Sequence, residues 1–162
     1  MTVGLRRDVR LRPVVDADFD RLFELESDVE GADMIAFLPR EPGDRAAFET
    51  HWTRITADPD LFTWVIEADG VFAGYAVSFL MDGERQVGYW IVRELWGRGI
   101  ASAALAALVA EVPERPLWGS TVSDNHGSQR VLLNAGFVLD RIERSHAPRR
   151  KVEVDEHVFR LD

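Results

Sequence analysis

The chain has 162 residues, of which 46% are hydrophobic and 29% are charged, and its formal net charge is −9 at pH 7. This length and composition predict a single globular domain over residues 1–162 and exclude disordered and collagen-like classes. The negative charge argues against nucleic acid as a partner, because phosphate binding needs clustered cations, and it mildly favours a cationic acceptor.

The available residue types limit the chemistry further. The chain has no cysteine, which excludes disulfides, thiolate metal sites and a cysteine nucleophile. Its four histidines are scattered, without a pair at helical ligand spacing, so we expect no metal site. No apolar segment follows the N-terminal arginines and no uncharged stretch approaches membrane-spanning length. We therefore expect a cytoplasmic protein with no membrane partner.

The first part of the chain predicts one strand and two helices. Residues 9–14 alternate in the manner of a strand, and Asp16 is expected to cap a helix whose apolar residues recur at helical spacing. A second helix is predicted from Asp44 to Thr56. Three strands of period two follow, and they form an antiparallel meander with turns at Asp69-Gly70 and Asp82-Gly83: residues 62–68, 71–80 and 86–92.

The remaining elements alternate between helix and strand. An alanine-rich helix over 102–111, a strand over 117–122 and a helix over 125–135 precede a hairpin formed by 137–145 and 151–161. Gly136 stands where a left-handed helix terminus is expected, and Gly88 is expected to mark a bulge or a close approach. The elements together predict an α/β (α+β) domain with a mixed, mostly antiparallel sheet of about seven strands and about four helices.

The segment over residues 96–102 can bind an anion. A strand leads into a short loop with Gly97 and Gly99 and then into a helix, whose first turn carries unpaired N–H groups and a partial positive charge. Arg98 and Ser102 can add a charge and a hydroxyl, although a plain tight turn is the alternative. A Rossmann fingerprint needs a third glycine where Ser102 stands, and a P-loop needs Gly-Lys-Ser/Thr, so both are excluded.

Two segments form a longer motif: Gly-Tyr-Trp-Ile-Val at residues 88–92 and Trp-Gly-Arg-Gly-Ile-Ala-Ser at residues 96–102. Three other segments accompany this motif: Asn-His-Gly-Ser at residues 125–128, Leu132 with Ala-Gly-Phe at residues 135–137, and Arg-Leu-Arg-Pro at residues 10–13. These residues resemble the GNAT superfamily of acetyl-CoA-dependent N-acetyltransferases over nearly the whole chain. Trp96 is most similar to the branch that includes the RimJ and RimL ribosomal-protein N-terminal acetyltransferases.

The resemblance implies that acetyl-CoA is the co-substrate and that a primary amine, either a peptide N-terminus or a small molecule, attacks its thioester directly. Ile91 would end the strand whose main chain pairs with the pantetheine arm, and a backbone N–H near it would serve the oxyanion. Asn125 would hydrogen-bond the pantetheine, although a helix N-cap is an equally good interpretation. The residues implied around the pyrophosphate are Trp96, Gly97, Arg98, Gly99, Ile100, Ala101 and Ser102.

The candidate catalytic residues differ from those that the resemblance implies. Many relatives carry a tyrosine proton donor seven positions after the asparagine, where this chain has Leu132, so Ser128 is the best donor to the sulfur. Ser128 is otherwise a serine of a first helical turn. Relatives of this branch often carry a glutamate at the position of Gln86, which cannot accept a proton. Glu84 is then the candidate base, acting through water, although a solvated turn residue is the alternative. Asp33 is a weaker candidate.

Two further expectations concern function and assembly. A catalytically silent domain that binds acyl-CoA as a sensor or interaction module is the alternative to an enzyme, because the tyrosine and glutamate are missing. A homodimer is possible, since exposed tryptophans such as Trp52 can mark either a groove or an interface. The resemblance does not fix the acceptor, because one fold serves many substrates.

Overall fold

The computed structural model describes residues 7–34 and 42–162, except for the side chains of residues 32–34. Two 3₁₀ turns, Asp16–Asp18 and Arg93–Leu95, accompany the regular elements. The strands are β1 (Val9–Pro13), β2 (Phe62–Ala68), β3 (Val71–Met81), β4 (Glu84–Ile91), β5 (Leu117–Val122), β6 (Val138–Ala147) and β7 (Val152–Leu161). The helices are α1 (Phe19–Ser27), α2 (Val29–Met34), α3 (Arg45–Ala57), α4 (Ile100–Glu111) and α5 (His126–Asn134).

The seven strands form one sheet in the order β1-β2-β3-β4-β5-β7-β6. Every neighbouring pair is antiparallel except β4 and β5, which are parallel. The predicted fold class is therefore confirmed. The described residues form five helices rather than about four, because the six-residue α2 was not predicted. None of these helices is both long enough and apolar enough to cross a membrane.

The two larger hydrophobic cores of the described residues lie on opposite faces of the sheet. Alternate residues of β4 separate them: Val87 and Ile91 pack with α4 and α5, whereas Trp90 packs with α1 and α3. The second core contains Trp52, whose exposed fraction is 0%. The expectation that Trp52 is an exposed marker of a groove or an interface was wrong. The period of the α3 sequence buries it against Phe48 and Tyr75 instead.

The irregularity in the central strands lies at Gly74 and not at Gly88. The register of β2 against β3 shifts between Ile66 and Glu67, opposite the segment that contains Gly74. A Cβ atom on Gly74 would lie 2.0 Å from the carbonyl oxygen of Trp90, whereas a Cβ on Gly88 would meet nothing within 4 Å. The prediction for Gly88 was therefore wrong, and the close approach of β3 to β4 requires the glycine at position 74.

The start of the first helix also differs from the prediction. Asp18, rather than Asp16, accepts a hydrogen bond from the backbone N–H of Val15, at 2.9 Å. The buried Asp18 carboxylate also accepts hydrogen bonds from both terminal nitrogens of Arg12, at 2.7 and 2.8 Å. Arg12 in turn donates to Glu67, which joins the helix start to β1 and β2.

Candidate functional site

A gap opens in the middle of the sheet. The parallel strands β4 and β5 pair only at Arg85 with Leu117 and at Gln86 with Trp118, and they separate beyond those residues. The N–H of Val92 donates to the carbonyl of Ala73, on the β3 side of β4. Because backbone groups alternate along an antiparallel strand, the N–H and C=O of Ile91 point away from β3 and into the gap.

The gap continues into a groove of about 540 Å³. Its walls are the end of β4, the loop to α4, the first turn of α4 and one side of α5, with Gly31 of α2 at one end. The groove brings together most of the predicted cofactor-binding residues, and of that set only Arg98 does not line it. The lining residues from the prediction are Ile91, Trp96, Gly97, Gly99, Ile100, Ala101, Ser102 and Asn125, together with Ser128.

The loop before α4 has the geometry of an anion cradle. Gly97 and Gly99 have positive φ angles of 74° and 77°, and a Cβ on either would meet nothing within 4 Å. The backbone of the loop is therefore open to a ligand. Gly99 is the N-cap of α4, which begins at Ile100, two residues earlier than predicted. The N–H groups of this first turn have no partner within the helix, and their partial positive charge suits a pyrophosphate.

Trp96 connects the loop to the strand. Its indole Nε1 donates a hydrogen bond to the carbonyl oxygen of Ile91 at 2.9 Å, while 45% of the residue remains exposed. One of the Ile91 groups that face the gap is thus already engaged by the protein. Trp96 therefore holds the loop against the end of β4, a role that its position in the motif did not predict.

The N-terminus of α5 forms the opposite wall. The side-chain oxygen of Asn125 accepts a hydrogen bond from the N–H of Ser128 at 3.2 Å, so Asn125 is the N-cap of this helix. Leu132, which replaces the expected tyrosine, is buried and packs on Gly119 of β5. Leu132 has no polar group, so it cannot donate a proton to a ligand in the groove.

Tyr89 is a groove residue that the sequence reasoning missed. Its hydroxyl lies 2.7 Å from Oγ of Ser128 and 3.4 Å from the carbonyl oxygen of Ser128. Burial raises the pKa of Tyr89 to about 12, although the hydrogen bond to Ser128 opposes this shift. A signal for this residue was present in the sequence. Tyr89 is two residues before Ile91 on one strand and so shares its face.

Glu84, the first candidate base, lies outside the groove. Glu84 begins β4 and pairs with Met81 beside the turn, seven residues or about 23 Å along the strand from Ile91. It does not line the groove. Gln86 is buried between Phe79 and Trp118. The side chain of Asp33 lies outside the described residues.

The end of the groove towards α2 is lined by Gly31 and Trp90. The indole Nε1 of Trp90 is buried and has no hydrogen-bond partner among the described residues. A carboxylate is close to this end, because a Cβ on Gly31 would lie 3.0 Å from Oδ2 of Asp28. Arg93 donates to Asp28 at 3.0 Å and to Glu30 at 2.7 Å, which joins α2 to the segment after β4.

Charges at the rim of the groove are partly paired. Asp124 receives two hydrogen bonds from Arg150, which hold the pKa of this carboxyl below its usual value. Arg130 of α5 also lines the groove, and the sequence reasoning missed it. Its guanidinium could hold a phosphate group there. Among the side chains that the structure describes, those of residues 7–31 and 42–162, no group of three histidines, aspartates or glutamates is arranged to hold a metal ion.

Comparison with known proteins identifies the family. The model of the acetyltransferase (GNAT) domain matches residues 8–138, which is most of the chain. The chain therefore belongs to the GNAT family of acetyltransferases. Membership supports acetyl-CoA-dependent acetyl transfer as its activity. A search of curated protein sequences finds no match.

Solved structures show the same fold at low sequence identity. Mycobacterium smegmatis RimJ in complex with CoA-disulfide is 21% identical, with a TM-score of 0.78, over 94% of this chain and 81% of its own. Spermidine N-acetyltransferase from Vibrio cholerae, in complex with CoA and spermine, is 13% identical, with a TM-score of 0.80, over 94% of each chain. RimL in complex with coenzyme A is 17% identical, with a TM-score of 0.76, over 93% of this chain and 92% of its own.

Proposed function

We propose that the protein is an N-acetyltransferase that moves the acetyl group of acetyl-CoA to a primary amine, either a peptide N-terminus or a small molecule, by direct attack on the thioester. The observation that carries this proposal is the groove that opens where β4 and β5 stop pairing. The open loop and the α4 N-terminus lie at one side of this groove, and hydroxyl groups line another part of it.

Different residues of the groove would bind different parts of acetyl-CoA. The backbone N–H groups of the loop and of the first turn of α4 would hold the pyrophosphate, with Ser102 as a further donor. Arg98, although it does not line the groove, is in the same loop and would add a positive charge, as would Arg130. Asn125, which caps α5, would also contact the pantetheine arm. Trp96 would keep the loop in place through its bond to Ile91.

The chemistry needs few side chains of the protein. Acetyl-CoA supplies an activated thioester, so the amine must be deprotonated, the oxyanion needs a donor and the thiolate needs stabilisation. The N–H of Ile91 points into the gap and would serve the oxyanion. Ser128 would donate to the sulfur. Glu84 stays a sequence-based candidate for the base, and it would need a chain of waters to reach the groove.

A thiol-release screen tests the proposal. Acetyl-CoA is incubated with a panel of amines and peptides, and released CoA is read with a thiol reagent. Because the chain contains no cysteine, the reagent reports only the thiol of CoA. We expect release with at least one amine, and a mass increase of one acetyl group on that amine. Measurable binding of acetyl-CoA without release for any amine would instead favour the silent acyl-CoA-binding sensor.

A cytoplasmic location and a homodimer belong to the proposal as predictions from the sequence. Trp52, the tryptophan named in support of the homodimer, is buried and therefore gives no support for it. Sedimentation equilibrium of the purified chain, with and without CoA, would test the assembly directly.

A further inference from the structure

The contact between Tyr89 and Ser128 joins two walls of the groove. Tyr89 belongs to β4 and Ser128 to the first turn of α5, 39 residues later, and their hydroxyl oxygens are 2.7 Å apart. Both residues line the groove. We propose that Tyr89 positions the Ser128 hydroxyl, so that the pair stabilises a thiolate at this place in the groove. This inference rests on the proposed function, because it assumes that CoA occupies the groove.

At this distance either hydroxyl could donate, so we assign the direction from the relative acidity of the two groups. Two acceptors lie near the Tyr89 hydroxyl, Oγ of Ser128 at 2.7 Å and the Ser128 carbonyl oxygen at 3.4 Å. The shorter contact is the stronger one, and a phenol is a better donor than an aliphatic alcohol. Tyr89 therefore donates and Ser128 accepts. The proton of the Ser128 hydroxyl is then left for a second acceptor in the groove.

Tyr89 acts by hydrogen bonding and does not give up its proton. Burial raises the pKa of its phenol to about 12. A thiol with an ordinary pKa of about 8.5 is the stronger acid by roughly three orders of magnitude. Transfer of the phenol proton to a thiolate is therefore unfavourable, and the phenol stays protonated at neutral pH. Tyr89 is a positioning residue, and Ser128 is the group that contacts the sulfur.

The thiol pKa of bound CoA tests this proposal without knowledge of the acceptor amine. Donors that stabilise the thiolate lower the pKa of the thiol. The protein has no cysteine, so the thiolate absorbance of the complex, recorded against the protein alone, belongs to CoA. We expect bound CoA to have a thiol pKa below that of free CoA by about one pH unit, which corresponds to a tenfold shift in the ionisation equilibrium.

Four variants test whether Tyr89 and Ser128 together cause the lowered thiol pKa of bound CoA. Ser128→Ala should return the thiol pKa to the value of free CoA, and Tyr89→Phe, which keeps the ring, should return it by about half of that shift. Tyr89→Phe should change the dissociation constant of CoA by less than about threefold. In the double variant, loss of Tyr89 should add nothing to the effect of Ser128→Ala. Tyr75→Phe is the matched control, because the other tyrosine contacts Glu26 in the α1 and α3 core.

Each contrary outcome has a distinct meaning. A thiol pKa that is the same in Tyr89→Phe and wild type overturns the positioning role. So does an effect of Tyr89→Phe that persists when Ser128 is alanine. If calorimetry detects no CoA binding to the wild-type protein, both this inference and the proposed function are wrong, whereas CoA binding with an unshifted thiol pKa refutes only this inference.

Discussion

Gly99 is the residue on which the open backbone of the cradle most depends. Its φ of 77° lies in the left-handed region, and a Cβ there would occupy the open space of the groove. A branched side chain would therefore add backbone strain and also keep a phosphate from the N–H groups of α4. These two effects can be separated, because Gly83 has nearly the same φ of 80° at the turn between β3 and β4.

We predict that Gly99→Val weakens acetyl-CoA binding tenfold or more, on the order of 1.4 kcal/mol, because the side chain blocks the approach of the phosphate. Gly83→Val is the matched control. It should lower the melting temperature by a similar amount and leave the affinity unchanged. Isothermal titration calorimetry on both folded variants measures the difference. Equal affinity of Gly99→Val and wild type would show that the glycines serve only the turn.

Asp18 carries a pH-dependent contribution to stability. The hydrogen bonds from Arg12 hold the pKa of the Asp18 carboxyl below its usual value, although burial opposes them. In the unfolded chain an aspartate takes up its proton near pH 3.9. Because the folded state resists protonation until lower pH, this contribution is fully present above about pH 3.9 and is lost as the pH falls through the folded-state pKa.

We predict that Asp18→Asn lowers the free energy of unfolding by about 1–3 kcal/mol at pH 7, since a charged hydrogen bond to Arg12 is lost. The difference from wild type should shrink as the pH falls below about 4. Urea unfolding at pH 7 and at pH 3 measures both values. The exposed neighbour Asp16, which the sequence suggested as the cap, is the control, and Asp16→Asn should change stability by less than about 0.5 kcal/mol.

At the scale of elements, the sequence predicted correctly the strands whose bounds depend only on neighbouring residues. The strand bounds 62–68 and 117–122 agree with the structure, because alternation and turn residues define them within a few positions. Helix α2 has only six residues, including Gly31, and was missed. The groove itself depends on where β4 and β5 stop pairing, and the Tyr89 contact spans 39 residues. The hydrophobic periodicity of a single strand or helix gives no information about contacts between residues so far apart in the sequence.

The close approach of β3 to β4 supports the strand end that lines the groove. We predict that Gly74→Ala destabilises the protein by on the order of 3 kcal/mol, because its Cβ would lie 2.0 Å from the Trp90 carbonyl oxygen. Gly88→Ala, on the neighbouring strand with open space around its Cβ, should be within about 0.5 kcal/mol of wild type. Urea unfolding compares the two. A near-neutral Gly74→Ala would mean that the β3 irregularity adapts without cost.

At the scale of the whole molecule, the groove is lined by residues of several elements: β4, α2, α4 and α5. β4 contributes to both cores, α4 and α5 cover one face of the sheet, and α2 closes the groove end near Trp90. Arg93 connects α2 to the segment that leads into α4. A ligand that fills this groove contacts several elements at once, so its binding should stabilise the folded molecule as a unit.

We predict that acetyl-CoA raises the melting temperature of the protein more than NAD or ATP does at equal concentration. A ligand that binds only the native state stabilises it by mass action, by about 2.7 kcal/mol at a hundred times its dissociation constant. NAD and ATP share the pyrophosphate that the α4 N-terminus can bind, but both lack the pantetheine arm that the gap between β4 and β5 would accept. Differential scanning fluorimetry over a range of concentrations gives the ranking. Gly99→Val should lose most of the acetyl-CoA shift, while Gly83→Val keeps it. A clearly larger shift with ATP or NAD would show that the groove prefers a nucleotide without the pantetheine arm, and the assignment of acetyl-CoA to this groove would be wrong.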